Sequence, residues 1–450
     1  MNNSGGVKRA IPRLLIAGTH SGCGKTTVAS GLMAALTARG LRVQPFKTGP
    51  DFIDPSHHTK ICGRVSRNLD PFMMGRKGVL RTFCGASDGA DIAVIEGVMG
   101  LFDGVDGTDC ASTAHVAKIL RAPVILVADV KGMSRSVNAL IQGFRMFDPG
   151  VRIAGVIANR IGSCRHRDMI EKEARESYLG WIPRKDDLKV PSRHLGLTMA
   201  HEDRSMEQFG GIVRDHCDLD GILHVAESAA PLCPEDSPSA PCREPSARIG
   251  VALDPAFCFY YQDNLDTLRA CGADLVFFSP LSGHLPDVDG VYLGGGYPEL
   301  YLPELSASGC RTDITRAAGC GMPVLGECGG LMYLTGSITA EKTYQFCGAL
   351  PATAEMTGSV QALGYVKGKA VSGWPCIPAG EQIRGHEFHY SRVIPERDAR
   401  FSITLRRGKG ICDNQDGIVE HCTIGTYTHA YFSRTFAEAF VSCCAAYHNR

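Results

Sequence analysis

No stretch constrains the fold of this chain more than Leu14–Gly40, LLIAGTHSGCGKTTVASGLMAALTARG. Four apolar residues, Leu14 to Ala17, lead into a glycine-rich turn ending Gly22-Cys23-Gly24-Lys25-Thr26-Thr27. Val28, Leu32 and Leu36 then recur every four residues. The pattern is a buried strand, a tight turn and a helix with one apolar face, stopped by Gly40. Small residues let backbone N–H groups converge on a polyphosphate, and the helix start adds the positive end of its dipole. In that context a turn ending in GK[ST] predicts an ATP site made by Ser21, Gly22, Gly24, Lys25, Thr26 and Thr27. Lys25 is expected at the β/γ-phosphates and the Thr26 hydroxyl at Mg²⁺.

The glycine usually found five positions before the last glycine of this motif is Thr19 here, with Gly18 one residue earlier. This displaced form resembles the P-loop of dethiobiotin synthetase and its relatives.

At 450 residues, and about 150 residues per domain, the chain has room for two or three domains. Its formal net charge is zero and it carries no basic run or aromatic-studded basic stripe, so no nucleic-acid partner is expected. No apolar segment approaches the roughly 18–20 residues of a membrane span, so no membrane partner is expected either. The N-terminus MNNSGGVKRAIPR lacks the apolar region of a signal peptide, which predicts a cytoplasmic location. The nineteen cysteines show no C-x-x-C pair and no zinc-like cluster with histidine, and read mainly as reduced, small hydrophobic residues.

Leu41 to Phe46 reads as a second strand. It runs into Lys47-Thr48-Gly49-Pro50-Asp51-Phe52-Ile53-Asp54-Pro55, then His57 and His58. A lysine and two aspartates there would place opposite charges at the carboxyl edge of a parallel sheet, where ligands of α/β proteins bind. Asp91 to Gly97 is a buried strand ending in Glu96, a position that commonly supports the metal in P-loop enzymes. The glycine-rich Val98–Gly104 after it carries another acid, Asp103. Pro123–Asp129 and Val151–Asn159 are further apolar strands, and the alternation with helices predicts a doubly wound parallel sheet.

Ala229 to Arg248 holds five prolines and few large apolar residues. It reads as a semi-rigid linker. The expected organisation is a synthetase domain at 1–228, a linker at 229–247 and a second α/β domain at 248–450. In the latter, Arg248–Asp254, Asp274–Phe278 and Gly290–Leu293 read as strands, the third leading into Gly294-Gly295-Gly296. Met322–Gly326 turns sharply through Glu327-Cys328-Gly329-Gly330 into a helix near Leu331. Small residues around a thiol on a strand-to-helix turn form a nucleophile elbow, exposing the side chain. The helix start beyond it is expected to lower the thiol pKa and give thiolate at neutral pH. A cysteine nucleophile needs a histidine base, and spacing alone leaves His386, His389, His421 and His429 open.

Together these blocks resemble the cobyrinic acid a,c-diamide synthase family, the glutamine-dependent amidotransferases of cobalamin biosynthesis. The resemblance runs from GTHSGCGKTT to THAYFSR. It is carried by FKTGPDFIDPSHH, SRNLDPFM, VIEGVMGLFDG, LGGGYPELY, LGECGGLMYL and HEFHYS. The related cobyric acid synthases lack the GPDxIDP block. The resemblance implies an N-terminal, dethiobiotin-synthetase-like P-loop domain and a C-terminal class I glutamine-amidotransferase-like α/β domain. It implies a ligase that takes ATP, L-glutamine and cobyrinic acid or a related tetrapyrrole, with Mg²⁺ as cofactor. It places the base at His429 and assigns Glu387 and His389 to substrate or domain-interface contacts. Amidotransferases of this class usually carry Glu two residues after the histidine. That position is Tyr431 here, so a Cys328–His429 dyad is expected.

For the implied chemistry, Lys25 and Lys47 would neutralise the transferring phosphoryl group, with Thr26, Asp51 and Glu96 around the metal. Asp54 and Asp103 would lie near the acyl phosphate or incoming amine, and backbone N–H groups near Gly295 and at Gly329 would hold the oxyanion. Rival substrates are hydrogenobyrinic acid and nickel-sirohydrochlorin. A rival from another class is a partitioning-type regulatory ATPase. Such proteins carry an early P-loop lysine where this chain has His20, and they have no use for Cys328. A homo-oligomer is left open.

Overall fold

The computed structural model describes residues 10–175, 177–184, 206–232, 243–371 and 374–449. Residues 233–242 of the proline-rich stretch lie outside the described residues. The chain divides into two compact units, Met1–Pro238 and Ser239–Arg450.

The first unit is built on seven parallel strands: β1 (Arg13–Gly18), β2 (Val43–Thr48), β3 (Arg67–Leu69), β4 (Ile92–Glu96), β5 (Val124–Asp129), β6 (Ile153–Ile161) and β7 (Tyr178–Pro183). Their order is β3-β2-β4-β1-β5-β6-β7. Side chains alternate across the sheet, so consecutive residues of one strand enter different cores. Leu14 and Ile16 pack with Val28, Leu32 and Leu36 of helix α1 (Lys25–Ala38). Leu15 and Ala17 face the opposite way, toward Phe46, Phe83 and Leu126. Coverage on both faces explains why the strands read as continuous apolar runs. β2 starts two residues later than the sequence suggests, which brings Lys47 and Thr48 inside the strand. Ala229 and Leu232, at the head of the proline-rich stretch, are buried, and Arg13 donates to the Ala230 carbonyl.

The second unit carries a ten-stranded mixed sheet. Its parallel part holds β8 (Ala247–Ala252), β9 (Ala273–Phe278), β10 (Gly290–Leu293) and β11 (Val324–Glu327), ordered β9-β8-β10-β11 and continued by Thr423–Thr426. An antiparallel part runs on through Gln415–Glu420, Arg400–Arg407, Ala362–Ala370 and Gln382–His389 to the two-residue strand His429–Ala430. The carboxyl edge of the parallel part, where β10 and β11 end side by side, is where both glycine-rich turns emerge.

Among the described residues no helix is long and apolar enough to cross a membrane. Every cysteine described carries a free thiol.

Candidate active sites

In the first unit, β1 lies between β4 and β5, and its carboxyl end opens into the loop Thr19–Gly24 before α1 begins at Lys25. Close approach requires glycine here. A Cβ on Gly18 would fall 2.4 Å from Cys23 Sγ, and one on Gly24 2.1 Å from Asn159 Nδ2. Gly24 also takes a φ of 102°, which glycine adopts without steric cost. Two carbonyls of the loop are tied back to the sheet. Asn159 Nδ2 donates to the Cys23 carbonyl at 2.9 Å, and Arg160 Nη2 to the Gly22 carbonyl at 3.2 Å. Arg160 is itself paired with Asp129. Ser21 and Gly22 are exposed, Thr26 and Thr27 half-buried, and Lys25 is buried.

Beside this loop sits a buried charge cluster. Lys47 and Glu96 are register partners on β2 and β4, and Lys47 Nζ donates to Glu96 Oε1 at 2.8 Å. The same ammonium bonds Asp54 and lies 3.7 Å from Asp51. The Thr26 hydroxyl donates to the same Glu96 oxygen at 2.7 Å, and His58 Nε2 stands 2.8 Å from Glu96 Oε2. Burial alone would discharge Lys47, but the summed attraction of Asp54, Glu96 and Asp51 outweighs it and holds the ammonium above its ordinary range. Burial likewise favours neutral Glu96, yet Lys47 and His58 together keep it ionised. Asp54 goes the other way, raised by burial and by its acidic neighbours Asp51 and Glu96. Lys25, which donates to the His20 carbonyl at 3.3 Å, is depressed by burial and by the nearby Lys47 charge. Two lysines brought this close favour an anion between them.

Asp51 starts helix α2 (Ile53–Cys62) by accepting from the N–H groups of Ile53 and Asp54 at 2.8 and 3.1 Å. Asp103 is exposed and shapes the adjacent loop, its Oδ2 accepting from Gly100 N–H at 2.9 Å. Sequence reasoning gave His58, Asn159 and Arg160 no role. The last two were detectable as polar residues at the carboxyl end of a parallel strand.

Whether these residues suit Mg²⁺ is a question of donor chemistry. Thr26 and Glu96 supply a hydroxyl and a carboxylate in mutual contact, the oxygen donors Mg²⁺ takes when phosphates and water complete its shell. Among the described residues no group of three or more His, Cys, Asp and Glu side chains could hold a metal ion unaided.

In the second unit, β11 ends at Glu327 and Cys328 makes the turn, with φ 50° and ψ −98°, into the short helix Gly329–Leu334. This is a strained conformation for a residue with a side chain. The Cys328 N–H donates to the Thr426 carbonyl at 2.7 Å, and its thiol donates to the Phe388 carbonyl at 3.9 Å. A Cβ on Gly329 would lie 3.3 Å from the Gly296 nitrogen, and one on Gly295 would lie 2.3 Å from His429 Cε1. The structure thus assembles Gly295, Cys328, Gly329 and His429 from three separate segments. His429 is buried, and the ring of His386 stacks on it at a centroid separation of 4.9 Å.

The thiol departs from expectation. Cys328 is only 8% exposed, and burial, followed by the negative charge of Glu299, pushes its pKa up to about 12. A helix of six residues does not offset that. His429 is shifted the opposite way, its charged form disfavoured by burial and by His386 and His389. The resting pair is therefore a neutral thiol and a neutral imidazole, not a thiolate.

The other histidines separate by environment. His389 stacks on Tyr427 with ring centroids 3.6 Å apart, its Nδ1 lies 2.8 Å from the Ser391 carbonyl, and burial lowers its pKa to about 4. His421 is exposed beside Glu420. Glu387 places both oxygens on backbone, accepting from Lys409 N–H at 2.6 Å and Gly410 N–H at 3.0 Å. The Tyr431 hydroxyl, at the position of the usual triad acid, donates to Asp263 at 3.2 Å.

Comparison with known proteins matches both units. Residues 14–197 match the CobQ/CobB/MinD/ParA nucleotide binding domain family, and residues 248–436 the CobB/CobQ-like glutamine amidotransferase domain family. The chain is 45% identical to a cobyrinate a,c-diamide synthase of Methanosarcina acetivorans, with 95% of this chain and 94% of that protein covered. It is equally similar, at 45%, to the enzyme of that name from Archaeoglobus fulgidus, with 96% and 97% covered. Identity to the Listeria monocytogenes enzyme is 41%, with 93% and 96% covered.

Proposed function

The chain belongs to the cobyrinate a,c-diamide synthase family of glutamine-dependent amidating ligases, and from that premise we propose that it converts the a and c carboxylates of cobyrinic acid to amides, using ATP and L-glutamine. The observation that carries this reading is one chain holding both a P-loop beside buried Lys47 and Glu96 and a Cys328 elbow whose Gly329 packs on Gly296, next to the Gly295 that approaches His429. The first unit is taken as the synthetase domain and the second as the glutaminase.

A carboxylate lacks a leaving group that ammonia can displace. In the proposed reaction a substrate carboxylate oxygen attacks the γ-phosphorus of ATP, ADP departs, and an acyl phosphate remains. Such transfers depend on positioning and charge neutralisation. Lys25, lowered by burial, gains an opposite charge when phosphate enters, and Lys47 supplies a second positive charge. Mg²⁺, held by Thr26 and Glu96 with Asp51 nearby, would neutralise phosphate charge when bound. Asp54 and the more peripheral Asp103 remain candidates for contact with the acyl group or the amine.

Ammonia is mostly protonated in neutral water, and releasing it inside protein preserves its lone pair. The Cys328 sulfur attacks the glutamine amide carbon as His429 takes the thiol proton, and His429 returns a proton to the departing ammonia. Water then cleaves the thioester to glutamate. A neutral imidazole is the form able to accept that proton, and general acid–base catalysis of this kind contributes roughly 10²–10⁴ in rate. The N–H groups at Gly295 and Gly329 are the oxyanion candidates, each worth about 3 kcal/mol. Ammonia displaces phosphate from the acyl phosphate to give the amide. Glu387 and His389, bonded to Lys409, Gly410 and Ser391, act on this reading through the shape of the second unit.

Mass spectrometry of cobyrinic acid incubated with the protein, ATP, Mg²⁺ and glutamine tests the proposal. Two successive acid-to-amide changes are expected. Conversion of hydrogenobyrinic acid or nickel-sirohydrochlorin in place of cobyrinic acid would reassign the substrate.

A further inference from the structure

We propose that Glu327 is the positioning residue for His429, and that it does so through the backbone where the usual triad carboxylate would act on the imidazole. This rests on the reading of Cys328 and His429 as the glutaminase pair.

The nucleophile and the base belong to different pairings of the sheet. β11, which ends at Glu327, pairs in parallel with Thr423–Thr426, Glu327 opposite Thr426. Three residues later the same segment has changed neighbours, and His429 and Ala430 pair antiparallel with His386 and Gly385. In the order of the sheet five strands stand between His429–Ala430 and β11, so no ladder joins the base directly to the nucleophile's strand. Glu327 spans that gap. Its Oε1 accepts from Ala430 N–H at 3.0 Å, and its Oε2 accepts from the Tyr292 hydroxyl at 2.8 Å. Glu327 and Tyr292 are both buried and so is the bond between them, while the bond to Ala430 is partly buried.

The rest of the segment is held independently. Asp416 accepts from the N–H groups of Tyr427 and Thr428, both at 3.0 Å, on the near side of His429. Asn264 Nδ2 donates to the Ala430 carbonyl at 2.7 Å on the far side. Of these ties, the one that runs directly to the residue before the nucleophile is that of Glu327. Meanwhile Tyr431, where the triad acid would stand, bonds Asp263. The carboxyl group missing from one side of the base is thus present on another, adjacent in sequence to the cysteine.

The test compares glutamine hydrolysis in E327M, E327Q and C328A with the parent protein. Methionine keeps the volume of Glu327 and removes the acceptor. Glutamine keeps an acceptor for Ala430 and a polar nitrogen for Tyr292. A small displacement of a reacting group can cost up to about 100-fold, so kcat for E327M is expected to fall about 10- to 100-fold with KM for glutamine within about twofold. E327Q should recover to within about threefold of the parent, a rescue that packing alone does not predict. Should E327M fail to fold, E327D, one carbon too short to span both partners, is read in the same way. Unchanged kcat in E327M, or equal loss in E327Q, overturns the proposal while leaving the Cys328 reading intact. Glutamine hydrolysis persisting in C328A overturns that reading, and this proposal with it.

Discussion

Lys47 Nζ and Glu96 Oε1 stand 2.8 Å apart at paired positions of adjacent parallel strands, both side chains buried. Removing one partner leaves the other as an uncompensated buried charge, at a cost of about 3–5 kcal/mol. K47M should therefore lower the stability of the first unit by that order, read from urea unfolding, in addition to stopping amidation. A K47M unfolding curve that overlays the parent's would mean that the Asp54 and Glu96 charges are already neutralised without the lysine.

Lys25 gives the contrasting case. Its ammonium donates to the His20 carbonyl at 3.3 Å and, among the described residues, forms no ion pair. K25A is expected to leave unfolding nearly unchanged while stopping amidation with either glutamine or ammonium salts, and glutamine hydrolysis should persist. An ammonium-dependent rate equal to the parent's would remove the P-loop from the mechanism.

How far the sequence reached depends on the range of each interaction. The Gly18–Thr27 loop, Lys47 and Glu96 were legible because their signal is local: small residues at a strand-to-helix turn, and charges where apolar strands stop. Asn159 was visible only as a polar residue closing an apolar strand, and its role was not, since its bond to Cys23 joins residues 136 apart. His58, on a helix face turned into the protein, carries no mark that separates it from a core histidine. The cysteine elbow was visible, but its titration depends on burial and on a helix of only six residues, which tertiary packing decides. The choice of His429 among four histidines came from family resemblance. The contacts that support that choice, with Gly295 and through Glu327, exist only once three segments meet.

The division between nitrogen release and nitrogen use makes a paired prediction. C328A should abolish glutamine-dependent synthesis and keep synthesis from ammonium salts. H429A should block glutamine hydrolysis at saturating glutamine, whereas H389A should not, because His389 is engaged with Ser391 and Tyr427. Joint loss of both nitrogen sources in C328A would contradict the separation.

Cys328 also stores backbone strain. At φ 50° and ψ −98° a Cβ is unfavourable by about 1–3 kcal/mol, and glycine escapes that penalty at an entropic cost of roughly 0.5–1 kcal/mol. Alanine keeps the Cβ. C328G should accordingly be more stable than C328A by about 1 kcal/mol in urea unfolding, although both lack the thiol. The reverse order would show that the turn is not strained.

The acid beside that turn couples stability to pH. Burial raises the Glu327 pKa from 4.5 to about 8, more than its bonds to Ala430 and Tyr292 lower it. Between those two values the folded protein keeps a proton that the unfolded chain has released. Stability from this group is therefore full below about pH 4.5, declines as pH rises, and levels off above about pH 8. The upper bound on the change is about 5 kcal/mol. E327Q cannot titrate, so the difference in unfolding free energy between the parent and E327Q should drift against the parent across that window. Subtracting the two curves removes contributions common to both, including those of Asp416 and Glu387, which burial also raises. A difference that stays flat from pH 5 to pH 8 would show that Glu327 is ionised in the folded protein. Its tie to Ala430 would then be a charged hydrogen bond, stronger than a neutral one, and the amide of E327Q a poorer substitute for it.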